Sequence, residues 1–121
     1  MQKRTLLTGA AVSLLLFSQS VLAHAHLKSS QPADNAVIAA APQVLTLSFT
    51  EDVEPAFSGV TLLDAGKKTI ASEKAQLDAK QHNQLIVPLK APLAAGDYQV
   101  NWHVLSVDGH KTQGSYRFSV K

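Results

Sequence analysis

Three segments alternate apolar and polar residues with a strict period of two. "QVLTLSFT" puts Leu45, Leu47 and Phe49 on one side, against Thr46, Ser48 and Thr50. "DYQVNWHVL" puts Tyr98, Val100, Trp102 and Val104 on one side, and "GSYRFSV" does the same with Tyr116, Phe118 and Val120. Such a pattern describes a pleated strand with one face in a core and the other in water, and it is incompatible with a helix. "SGVTLLD" and "QLIVPL" are shorter strand candidates, with turn signals at "DAGKK", "PLAAGD" and "VDGHKT". A helical turn or two is conceivable only in "PADNAVIAAAP". The chain is therefore expected to be all-β, a sandwich or barrel of about seven strands, which buries alternating strands while limiting open edges.

The first 23 residues stand outside this pattern. Lys3 and Arg4 precede an apolar run from Leu6 to Phe17, and a polar "SQS" leads to small residues at Val21 and Ala23. That is the layout of a secretory signal cleaved after Ala23. The run is broken by Thr8, Gly9 and Ser13, and it is shorter than the ~20 apolar residues of a membrane-spanning helix. Residues 1–23 are thus expected to be removed and residues 24–121 to form one exported domain, periplasmic and not embedded in a membrane. Of eleven basic residues two leave with the signal, which brings the remainder level with the nine acidic ones. No basic surface is left to neutralise phosphates, which argues against nucleic-acid binding. The chain has no cysteine, and its one methionine is Met1. A mature domain without sulfur can hold a transition metal only through nitrogen and oxygen.

Five histidines, at 24, 26, 82, 103 and 110, are the candidates for such nitrogen donors. His82 lies in the polar "DAKQHNQ" and His103 alternates outward beside Asn101, so both are expected to be solvated. His110 follows Asp108 across Gly109, in the connection between the two clearest strands. Residues at i and i+2 of an extended segment share a side, so a carboxylate and an imidazole can face one point. By itself this D-G-H is a weak signal, because Asp-Gly is also an ordinary hairpin turn. Cleavage after Ala23 strengthens it. His24 would become the first residue, and its α-amine and ring Nδ1 can close a six-membered chelate on one ion. An α-amine has a reference pKa of about 7.7–8.0, low enough for a metal to displace its proton near neutral pH. With Asp108 and His110 this makes a set of three nitrogens and one oxygen, suited to one Cu(II) per chain, with Zn(II) as competitor.

These residues carry a family resemblance. "HAHLKSSQPADNA", "LTLSFTEDVEPAFSGVTLLD" and above all "YQVNWHVLSVDGHKTQGSYRFSV" resemble the CopC family of periplasmic copper-binding proteins, over essentially all of residues 24–121. The resemblance implies a Greek-key β-sandwich or barrel, Ig-like, that binds Cu(II) through His24, Asp108 and His110. It also implies that Glu51, in "SFTED", stands near the metal without ligating it. Some members carry a methionine-rich loop with a histidine that binds Cu(I). The corresponding "LLDAGKKTIASEK" has neither residue, which implies the single-site, Cu(II)-only type.

Several alternatives stay open at this level. His-Ala-His at a mature N-terminus can bind Cu(II) from a local peptide alone, and cleavage after Ala25 would make His26 the first residue; otherwise His26 stands beside the metal or in solvent. The function expected is to carry or buffer copper for homeostasis or resistance, or to deliver it to an inner-membrane copper transporter. A copper-dependent oxidative enzyme built on an N-terminal histidine is the rival from another class. Against it, Asp108 can fill the position that oxygen chemistry needs open, and a carboxylate favours Cu(II) over Cu(I). No G-x-S-x-G elbow is present to suggest hydrolysis. A β-sandwich interaction module with incidental histidines is the third reading.

Overall fold

The computed structural model describes residues 25–121; the expected signal and His24 lie outside the described residues. Among the described residues nine strands form two sheets. They are β1 (Leu27–Gln31), β2 (Ala36–Ile38), β3 (Val44–Phe49), β4 (Gly59–Leu63), β5 (Thr69–Ile70), β6 (Gln76–Leu77), β7 (Gln84–Pro88), β8 (Gly96–Leu105) and β9 (Lys111–Val120). One sheet has the order β1-β3-β7-β6 and the other β2-β9-β8-β4-β5. All pairings are antiparallel except β2 with β9. The chain crosses between the sheets five times, at β1 to β2, β2 to β3, β3 to β4, β5 to β6 and β7 to β8, giving the expected Greek-key sandwich.

The alternating segments fill the space between the sheets. Leu45, Leu47 and Phe49 of β3 are fully buried, opposite Tyr98, Val100, Trp102 and Val104 of β8 and Tyr116, Phe118 and Val120 of β9. Phe49 meets the Trp102 ring edge-on at 5.2 Å, and Tyr98 stacks on Phe118 at 5.6 Å. Trp102 pairs across the ladder with Gly114. A β-carbon on Gly114 would lie 2.6 Å from Trp102 Cζ2, so the missing side chain is what lets the indole lie flat against β9.

The strand count exceeds the expected seven because β5 and β6 have only two residues each, too few to show a period. "PADNAVIAAAP" departs from expectation. Instead of a helical turn it contributes β2, a three-residue parallel edge strand whose backbone pairs with Phe118–Val120. Beta1 pairs with β3 across a register shift between Leu27 and Ser29, which blurs its own alternation.

Candidate metal centre

The hairpin between the two ten-residue strands, β8 and β9, carries the D-G-H motif. Its connection, residues 106–110, closes through Ser106 N–H donating to the His110 carbonyl (2.8 Å) and Gly109 N–H donating to the Ser106 carbonyl (2.9 Å). Gly109 takes φ +95°, a conformation open to glycine and strained for any other residue. The turn brings Asp108 Oδ1 and His110 Nδ1 to 3.1 Å, with both side chains about half exposed. The expected pair is therefore formed, on the surface, at one end of the sandwich.

Ser106 organises it. Its side chain is buried, and its hydroxyl donates a short hydrogen bond to Asp108 Oδ1 while accepting the His110 N–H at 3.2 Å. The hydroxyl first, and then His110, hold the Asp108 carboxyl below its usual value, so the group is an anion throughout the neutral range. Asp108 Oδ1 is thus engaged both by the Ser106 hydroxyl and by His110 Nδ1.

Sequence reasoning passed over Ser106, although a signal for it exists. The inward phase of β8, Tyr98–Val100–Trp102–Val104, lands next on Ser106, a hydroxyl where the pattern calls for an apolar side chain. Thr112 breaks the inward phase of β9 in the same way. Its hydroxyl donates to the Ala25 carbonyl at 2.6 Å. Ala25 is fully buried in the core, and this bond ties the start of the described chain to the strand that opens immediately after His110.

The other candidates are placed as follows. His26 is exposed; its N–H donates to Thr50 Oγ1 (2.9 Å) and its carbonyl accepts from Thr50 N–H (2.9 Å). Glu51 is half-buried in the loop after β3, next to Asp52, whose carbonyl accepts the Val107 N–H of the site hairpin (3.1 Å). His103 is exposed on the outer face with its ring over Gly59, and His82 is exposed in the loop before β7. Among the described residues no three His, Asp or Glu side chains converge, so Glu51 and His26 do not join Asp108 and His110 in a cluster. Two of the four expected donor groups come together here; the other two belong to His24.

A profile of the CopC domain matches residues 27–121. The chain belongs to the CopC family. Protein YobA of Escherichia coli (strain K12) is 48% identical over 112 residues, covering 93% of this chain and 90% of that protein. The crystal structure of CopC from Methylosinus trichosporium OB3b superposes with a TM-score of 0.76 at 36% identity, covering 81% of this chain and 94% of that one. PcoC, a methionine-rich copper resistance protein from Escherichia coli, superposes with a TM-score of 0.73 at 32% identity, covering 81% of this chain and 99% of that one. CopC family proteins are copper-binding resistance proteins and not enzymes, which removes the oxidative-enzyme reading. Among the described residues no helix is long and apolar enough to cross a membrane.

Proposed function

We propose that this CopC-family chain is a periplasmic Cu(II) carrier or buffer. Residues 1–23 direct export and are cleaved, and residues 24–121 bind one Cu(II). The donors are the α-amine and ring Nδ1 of His24, the Asp108 carboxylate and the His110 imidazole. The protein holds copper for homeostasis and resistance, or for delivery to an inner-membrane transporter. Zn(II) is the competing ion.

The observation that carries this reading is the Asp108–His110 pair, preset at 3.1 Å by a buried serine, with Ala25 tied to the strand after the same hairpin turn by Thr112. His24 precedes Ala25 directly in the sequence, and the Ala25 carbonyl is the group that Thr112 holds. The donor chemistry agrees, since a mature chain with neither cysteine nor methionine offers only nitrogen and oxygen, which suit Cu(II) and not Cu(I). The methionine-rich character of PcoC has no counterpart here.

Asp108→Ala and His110→Ala, each in correctly processed protein, are expected to weaken Cu(II) binding at least tenfold, about 1.4 kcal/mol. Native mass spectrometry of the unaltered protein should show one copper per chain. Undiminished affinity in both variants would assign the metal to the local His-Ala-His peptide, and two equally tight ions would overturn the single site.

A further inference from the structure

The inward face of β9 is apolar or aromatic at Tyr116, Phe118 and Val120 and carries no side chain at Gly114. Thr112 is the polar exception, half-buried and paired with the fully packed Val104. Valine has nearly the shape of threonine and would suit a packed strand position. What threonine adds is a hydroxyl, and that hydroxyl is spent on the Ala25 carbonyl at 2.6 Å. One residue on, the His26 N–H donates to Thr50 Oγ1, and Thr50 N–H donates back to the His26 carbonyl. Thr50 follows β3 in one sheet and Thr112 belongs to β9 in the other. The backbone of residues 25–26 is therefore held from both sheets, although only β3, which Thr50 follows, is the pairing partner of β1.

We infer that Thr112 is a positioning residue for copper: with Thr50 it clamps the Ala25–His26 backbone so that the N-terminal chelate is presented to Asp108 and His110. The inference rests on the His24 chelate proposed above. Its physical basis is preorganisation. A chain end that swings freely must be ordered when the metal binds, at a cost in conformational entropy, whereas an arm already fixed by two threonines is ordered on folding. Thr112 acts at the closer point, because it stands two residues beyond His110 on the strand that leaves the D-G-H turn. Without its hydroxyl the donors would remain chemically intact, but the direct bond from Ala25 to the strand that leaves the D-G-H turn would be lost.

The test compares processed wild-type protein with Thr112→Val and Thr112→Ser, each loaded with Cu(II) alone, measuring affinity by competition and donor set by EPR. Thr112→Val should lose at least tenfold in affinity and give a broadened or mixed EPR spectrum, while Thr112→Ser, which restores the hydroxyl, should recover both. A structural role alone would lower thermal stability without altering the EPR spectrum of the bound ion. Wild-type affinity and spectrum in Thr112→Val would overturn the clamp. A wild-type chain carrying one extra residue before His24 separates the two ideas. If that extension weakens binding while Thr112→Val does not, the chelate stands and the clamp falls. If the extension has no effect, the chelate itself is wrong, and the clamp with it.

Discussion

Two glycines of the five-stranded sheet present the same steric distance to different neighbours, and substituting each by alanine should separate their costs. A β-carbon on Gly114 would lie 2.6 Å from Cζ2, 3.0 Å from Cε2 and 3.3 Å from Nε1 of Trp102. One on Gly59 would lie 2.6 Å from Cε1 of His103. Trp102 is 8% exposed and wedged edge-on against Phe49, so its rigid bicycle can yield only by disturbing the core. His103 is exposed, and its ring can turn out into water. Overpacking of a core costs about 1–3 kcal/mol, and alanine in place of strand glycine returns ~0.5–1 kcal/mol. Gly114→Ala should therefore be destabilised by about 1–2 kcal/mol, lowering Tm by roughly 4–16 °C for a domain of about 100 residues. Gly59→Ala should stay within about 0.5 kcal/mol of the parent, where the propensity gain offsets the ring's displacement. Thermal unfolding of the metal-free proteins by circular dichroism reads both, and the single tryptophan reports on its own surroundings by fluorescence. Equal losses in the two variants, or no loss in Gly114→Ala, would refute the seating of Trp102 on Gly114.

Ser106→Ala removes the leading cause of the lowered Asp108 pKa, so that carboxyl should titrate closer to its ordinary value by NMR and Cu(II) affinity should fall; an unmoved Asp108 titration would deny Ser106 its organising part. Burial, with the Asp34 charge adding to it, pushes the Tyr116 hydroxyl up to about 12. The folded state thus keeps that proton more tightly than the unfolded chain, and the associated stability is complete below pH ~10 and lost as pH rises toward ~12, at most ~2–3 kcal/mol. Denaturant unfolding across that window should show the decline in the parent and a flatter profile in Tyr116→Phe.

The parts of the fold that were legible in the sequence are those where one strand carries its own evidence. Leu45, Leu47 and Phe49, and the inward residues of β8 and β9, are buried as their alternation requires. Beta1 was illegible because its register shift beside Leu27 breaks the period, and β2 because a three-residue edge strand is defined by its partner, not by its own residues. At the site, Asp108 and His110 were legible because i and i+2 spacing across a glycine constrains their directions locally. Ser106 and Thr112 were not, since a hydroxyl has no direction until its acceptor is known, and the acceptor of Thr112 lies 87 residues away at Ala25. The only trace either left was a polar residue in an apolar phase.

The α-amine of His24 is the donor on which the proposed centre depends most, and it exists only after cleavage. Cu(II) affinity should therefore be compared between protein beginning at His24 and the same chain with one residue added before it, both verified by intact mass. The added residue turns the amine into an amide, a poor donor, while leaving Asp108, His110 and the β-sandwich untouched. The expected result is an unchanged circular dichroism spectrum with Cu(II) binding at least tenfold weaker in the extended protein. Equal affinity in the two forms would contradict the N-terminal chelate.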